Sequence, residues 1–276
     1  MTHSAWSRQS LLLGACAAPS AAFFAAFWLL PSLRLLGLPA EQGWASYFAV
    51  LSHPRYLSSL LNTVGLSLVV TLCTVVLGGA VGIFLAQRDF LGRRWLLSLL
   101  TLPLSFPGVI IGFFMILLGG RQGLVANLSV ALGGDRLSFA YGLFGLFLAY
   151  LYFSLPRAIA TFMAAAQAID PFLEEAARSL GATRWRVACD VWLPSLAPTG
   201  LAVGAIVFAT CMGAFGTAFT LASKFEVLPI SIYNEFTNYA NFAMAASLSI
   251  ALGLMTWCIL FGVRRLAPSA AVVGAA

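Results

Sequence analysis

Glu174 to Pro194 reads EEAARSLGATRWRVACDVWLP, the one long polar segment in a chain otherwise assembled from apolar runs. Asp170-Pro171 just ahead of it makes a helix start, because a carboxylate accepts from free N–H groups and proline suits the first helical position. Glu174 and Glu175 add negative charge near the positive end of the helix dipole, and Ala176 and Ala177 propagate the helix. Gly181 stands where a left-handed residue ends it. Thr183 then caps a second helix from Arg184 to Trp192, with Pro194 marking the return toward the membrane. On the first helix Phe172, Ala176 and Ser179 share one face, with Leu173, Ala177 and Leu180 beside them and Glu174, Glu175 and Arg178 flanking. Two amphipathic helices hinged at a glycine between apolar runs point to a docking element for a partner's groove. The alternative is a helix lying on lipid headgroups, which would more often carry lysines where this one begins with two glutamates.

The rest of the chain sets the context. Its 276 residues are 61% hydrophobic and 9% charged, against about 25% charged in a soluble domain, so this is an integral membrane protein. Six runs reach the ~20 residues a spanning helix needs: 10–33, 62–86, 95–118, 140–163, 199–222 and 242–263. They are continuously apolar without period-two alternation, which predicts an all-α polytopic fold rather than a barrel. Pro103, Pro107 and Pro156 lie in or at the ends of these runs, where they would kink or break helices. Gly78/Gly82, Gly108/Gly112 and Gly200/Gly204 are small-residue pairs suited to close helix contact, within this chain or against a second subunit.

With the N-terminus inside, the inner segments carry Arg8, Arg88, Arg93, Arg94, Arg157, Arg178, Arg184, Arg186, Arg264 and Arg265; the outer ones carry Arg34, Arg55, Arg121, Arg136 and Lys224. That excess places both termini and the Glu174–Pro194 segment in the cytoplasm. The basic residues lie at the ends of apolar runs, so no nucleic-acid partner is expected. Cys16, Cys73, Cys189, Cys211 and Cys258 have no metal-ligand spacing, and no metal site is expected. Leu13 to Cys16 loosely resembles a lipoprotein cleavage box, but only three apolar residues precede it where a signal peptide has about 7–15; a retained first span is expected. The chain has no G-x-x-x-x-G-K-[ST] segment and no Ser/His/Asp pattern around His3 or His53, so neither catalytic residues nor a cofactor of its own are expected.

The spacing of Glu175-Ala176-Ala177, Gly181 and Val191-Trp192-Leu193-Pro194 resembles the EAA loop of permease subunits of type I binding-protein-dependent ABC importers. Leu61-Asn62-Thr63-Val64-Gly65 looks like the start of the shared permease core, which would occupy 58–265. Residues 1–57 would then hold an N-terminal tail, a more variable first span and an outer loop, and 266–276 a C-terminal tail. The resemblance implies a multi-pass protein of the bacterial inner membrane. It implies two ATPase subunits that bind ATP and Mg, a second permease subunit (a heterodimer in preference to a homodimer) and a periplasmic solute-binding protein. It assigns Glu175, Ala176, Ala177 and Gly181 to the ATPase-coupling contact, with Arg178, Arg184 and Arg186 as charged neighbours.

The interiors of the runs are nearly free of charge, whereas ion-coupled carriers keep ionisable groups at membrane depth. Energy supplied by a separate ATPase is therefore expected, in preference to a stand-alone secondary transporter. The last outer loop, Lys224 to Phe236, resembles permeases of the polyamine, phosphonate and iron branch, and most of all those for spermidine and putrescine. On that likeness Glu226, Tyr233, Glu235 and Tyr239 either attract a polycation by charge and cation–π contact or shape the docking surface for the binding protein. A polyamine is the expected substrate, with aminoethylphosphonate or ferric iron as alternatives.

Overall fold

The apolar runs fold as helices throughout, because a chain in hydrocarbon must satisfy every backbone N–H and C=O internally. The computed structural model describes residues 18–222 and 225–266. The readings made on Arg8, Cys16, Lys224, the chain ends and the start of the first span fall outside those residues.

Among the described residues there are no strands, and six helical segments are long and apolar enough to cross a membrane. They are α1 (Ala18–Gln42), α2 (Pro54–Gln87), α4 (Gly108–Gly119) continued by α5 (Leu124–Ala131), α6 (Leu143–Gln167), α8 (Arg184–Met212) and α11 (Phe242–Leu266). The shorter helices are α3 (Arg93–Thr101), α7 (Pro171–Ser179), α9 (Phe215–Leu221) and α10 (Leu228–Tyr233).

Three boundaries differ from expectation. The 95–118 run is not one helix: α3 ends in a 3-10 turn, Leu102–Ser105, and α4 begins only after Pro107. Proline drives the residue before it out of the helical region, and Phe106 is extended, at φ −96°, ψ 131°. Pro156, by contrast, sits buried inside an unbroken α6. The 199–222 run is also divided, since α8 stops at Met212 and α9 starts at Phe215. Finally, the short second helix expected at Arg184–Trp192 is the beginning of α8, and the chain does not turn at Pro194. A π-helical turn, Ala188–Trp192, lets Leu193 N–H reach Ala188 O. The wider turn makes room for a proline ring that would otherwise strike the preceding turn of helix.

The core forms where α2, α6 and α8 pack together. Two glycines decide how closely α2 and α6 approach. A Cβ at Gly78 would lie 2.7 Å from Ala158 Cβ, and one at Gly82 would lie 2.7 Å from Phe162 Cβ and 2.9 Å from Ile159 O. Gly108 and Gly112 do the same for α4 and α9: a Cβ at Gly112 would meet Thr220 Oγ1 at 1.7 Å, and Thr217 Oγ1 donates to Gly108 O at 3.0 Å. Gly200 and Gly204 do not belong with these pairs. Their nearest neighbours would be 3.6 and 3.5 Å from an added Cβ, ordinary contact, and both residues line an open groove.

α1 is nearly bare, with Phe23, Phe24, Phe27 and Trp28 all exposed. α2, at 34 residues, is ~51 Å long at 1.5 Å per residue, well beyond the ~30 Å hydrocarbon core. Its Gln87 end lies beside the polar loop, and its Pro54 end lies at the far side of the bundle.

Candidate functional site

The polar loop is built by local hydrogen bonds that its sequence specifies. Asp170 Oδ1 accepts from Phe172 N–H at 2.9 Å and opens α7. At the other end Gly181 has φ +83°, a region that costs any residue with a Cβ. Gly181 N–H donates to Arg178 O at 2.9 Å and Ala182 N–H to Ala177 O at 3.1 Å, the paired closure of a Schellman cap. Thr183 Oγ1 then accepts from Arg186 N–H at 3.4 Å and starts α8.

The loop has an inward and an outward side. Glu174 and Ala177 are half-buried, and Glu174 accepts from Arg178 Nη2 at 2.5 Å. Both of these charged residues line a cavity of about 490 Å³ between α7 and the C-terminal ends of α2 and α6, together with Gln87, Arg88 and Gln167. Phe172, Leu173, Glu175, Ala176, Gly181 and Leu180 are exposed, and so is Trp185 just beyond. Of the residues expected at the ATPase contact, Glu175, Ala176 and Gly181 therefore lie on the free side. Ala177 and Arg178 lie on the side toward the chain's own helices, and Arg184 and Trp185 border the groove between α2, α8 and α11.

That groove has a volume of about 1210 Å³ and runs from the polar loop up to Gly200, Gly204 and Phe208. Its wall is mostly apolar, with Thr71, Val75 and Leu201 along it. Its charge is confined to the loop end, where Arg88, Arg178 and Arg184 meet a single carboxylate, Glu174.

At the far end of α2 lies a second polar cluster. Arg55 donates to both carboxylate oxygens of Glu226, Nε to Oε2 at 2.8 Å and Nη2 to Oε1 at 2.6 Å. The guanidinium hydrogen bonds hold the Glu226 carboxyl below the usual carboxylate range, against the opposing effect of partial burial. Tyr56 Oη donates to Glu235 Oε1 at 2.7 Å, and Glu235 is buried, at 5% exposure. Thr63 Oγ1 accepts from Leu228 N–H at 2.8 Å, Asn62 Nδ2 donates to Glu226 O at 3.2 Å, and Ser231 Oγ donates to Ser59 Oγ at 3.1 Å.

Of the four outer residues singled out from sequence, Glu226 and Glu235 are thus both occupied by partners within the chain. Tyr233 packs its ring against Phe215 and Phe219, with centroids 5.3 and 5.4 Å away, while Tyr239 is exposed. Sequence reasoning missed the partners Arg55, Tyr56, Ser59 and Thr63. Their signal was a polar stripe at helical spacing ahead of the apolar part of α2.

A bundle of membrane-length helices, an open groove and a protruding capped helix together define a multi-span helical membrane protein with an exposed polar loop. Residues 78–271 match the binding-protein-dependent transport system inner membrane component family, to which the chain belongs. It is 28% identical over 248 residues to the sulfate transport system permease protein CysT of Escherichia coli K12, covering 86% of this chain and 88% of that one. It is 32% identical over 228 residues to the molybdenum transport system permease protein ModB of the same organism, covering 76% and 93%. In fold it resembles a chain of a bacterial alginate ABC transporter in complex with an alginate pentasaccharide-bound periplasmic protein, with a TM-score of 0.82 at 19% identity over 94% of each chain. The protein is a multi-pass inner-membrane permease subunit of an ABC importer.

Proposed function

We propose that this chain forms half of an oxyanion importer, pairs with a second, different permease and receives sulfate or molybdate from a periplasmic binding protein. The observation that carries the substrate is the likeness to permeases named for sulfate and molybdenum over three quarters or more of the chain. Two physical features support it. Glu226 and Glu235, the carboxylates that would have drawn a polycation, have partners within the chain. The loop end of the groove carries three arginines against one glutamate, a field that favours a dianion over a polyamine.

The energy comes from two ATPase subunits that bind ATP and Mg. Glu175, Ala176 and Gly181 form the contact, with Ala177 seating the helix from behind and Arg178 and Arg184 flanking it. In this reading both termini and the polar loop are cytoplasmic, and residues 58–265 make up the permease core. ATP-driven closure of the ATPase pair moves α7 as a rigid piece and biases the permease pair between two states.

The test is affinity purification from native membranes of the wild type and of Gly181→Pro, with bound proteins identified, followed by ATP-dependent uptake of labelled sulfate and molybdate into vesicles. The proposal expects an ATPase and a second permease with the wild type, loss of the ATPase from the variant, and uptake competed by oxyanions. Purification of the wild type alone would return weight to a stand-alone carrier. Uptake competed by spermidine but not by oxyanions would overturn the substrate.

A further inference from the structure

The polar contacts at the outer end of α2 form a single seam. Arg55, Tyr56, Ser59, Asn62 and Thr63 fall within just over two helical turns and on one side of the helix. Each reaches the same short stretch, Glu226 to Glu235, about 170 residues away in sequence, as with the separation of 171 between Arg55 and Glu226. Ser59, Thr63, Ser231 and Glu235 are all buried. A contact this dense and this well satisfied resists sliding, since any one-turn shift would leave several buried polar groups without partners.

The seam has neighbours on both sides. Outward from α10, Tyr233 packs on Phe215 and Phe219 of α9, and α9 interlocks with α4 through Thr217 and Gly108. Down α2, Gln87 and the adjoining Arg88 line the cavity beneath α7, with Glu174 and Arg178 on its other wall. No break interrupts α2 between these points.

We propose that Arg55 is a positioning residue for ATP-driven import. Through Glu226, two residues ahead of α10, it clasps the start of α10 to α2, so that the two move as one body and a displacement at the outer face reaches the polar loop along α2. This rests on the importer reading given above. A long helix carries such a displacement only if its outer end is fixed to what moves there. The bidentate guanidinium–carboxylate pair supplies that fixity in orientation as well as in distance.

The experiment uses the whole complex, purified with the ATPase, second permease and binding protein that accompany it and reconstituted in lipid vesicles. ATPase rates are read with and without loaded binding protein. Arg55→Met should lower the rate gained on adding binding protein by about tenfold or more while the rate without it stays within about twofold. The exchange Arg55→Glu with Glu226→Arg should recover most of the loss, which a purely local packing defect would not do. Unchanged stimulation in Arg55→Met would overturn the proposal.

A second measurement holds should Arg55→Met fail to assemble. Ser59 and Ser231 hydroxyls are already 3.1 Å apart, so Ser59→Cys with Ser231→Cys can be joined by mild oxidation. If the clasp stays closed through the cycle, the oxidised complex transports like the reduced one. Transport that stops on oxidation and returns on reduction would show that the seam opens, and would overturn the proposal. Failure of the unmodified complex to import would sink the importer reading instead, a result separate from either arm.

Discussion

Tyr56 donates its phenolic hydrogen to Glu235 across a separation of 179 residues, at 2.7 Å, onto a carboxylate that is only 5% exposed. Removing the phenol oxygen leaves that carboxylate oxygen in place with no donor. The loss of such a partner costs about 1–3 kcal/mol. Tyr56→Phe should therefore lower the thermal unfolding midpoint of the purified protein in detergent. Glu235→Gln should cost less, because an amide in the same place still offers an acceptor to the phenol. Equal midpoints for Tyr56→Phe and wild type would mean that the contact contributes nothing.

The α2–α6 crossing gives a prediction with its own control. Gly82→Ala forces a methyl to within 2.7 Å of Phe162 Cβ and 2.9 Å of Ile159 O, where backbone must shift. Overpacking of this kind costs about 1–3 kcal/mol, so the variant should show a lowered midpoint and reduced membrane yield. Gly204→Ala, whose nearest neighbour would be 3.5 Å away, should match wild type in both. Equal behaviour of the two variants would show that α2 and α6 are not as close as described.

Much of this architecture was legible in the sequence, and each exception has its own physical cause. The 242–263 run lies within α11, and Asp170, Pro171, Gly181 and Thr183 act as their residue types predict, because caps are set by neighbours in the chain. In the 95–118 run Pro103 and Pro107 marked the break, but hydropathy alone joined the two sides into one span. Pro194 was misread in the opposite sense. A proline usually ends a helix, but the π turn at Ala188–Trp192 absorbs this one, and the surrounding helices decide whether such a turn forms. The seam was invisible for a plainer reason. A polar stripe at 55–63 and two glutamates at 226 and 235 are each ordinary surface features, and one sequence says nothing about which distant pairs meet. The polycation came from the likeness of the Lys224–Phe236 run, and the internal partners of Glu226 and Glu235 remove the charges it would have used.

Gly181 discriminates conformation from size. At φ +83° asparagine is tolerated, whereas a β-branched side chain carries a penalty of about 1–2 kcal/mol or more. Gly181→Asn should retain the co-purifying ATPase and most of the transport. Gly181→Val should lose both, yet insert at wild-type levels, since no neighbouring atom lies within 4 Å of a Cβ there. Retention of the ATPase by Gly181→Val would remove the left-handed cap from the coupling mechanism.

Glu226 sets an acid limit on the loop ahead of α10. Its carboxyl titrates below the usual range, first because of the hydrogen bonds from Arg55 and further because the Ser231 hydroxyl lies 3.4 Å from Oε2. A depressed acid contributes stability in full above its unfolded value, ~4.3 for glutamate, and that contribution declines as pH falls below it and through the folded value. The midpoint gap between wild type and Glu226→Gln should accordingly be constant from neutral pH down to about 5 and should narrow below about 4. High salt should shrink the gap only modestly, because the pair is bidentate and partly shielded from water. A gap that stays constant down to pH ~3 would mean that Glu226 keeps its ordinary titration and that Arg55 does not hold it as the geometry requires.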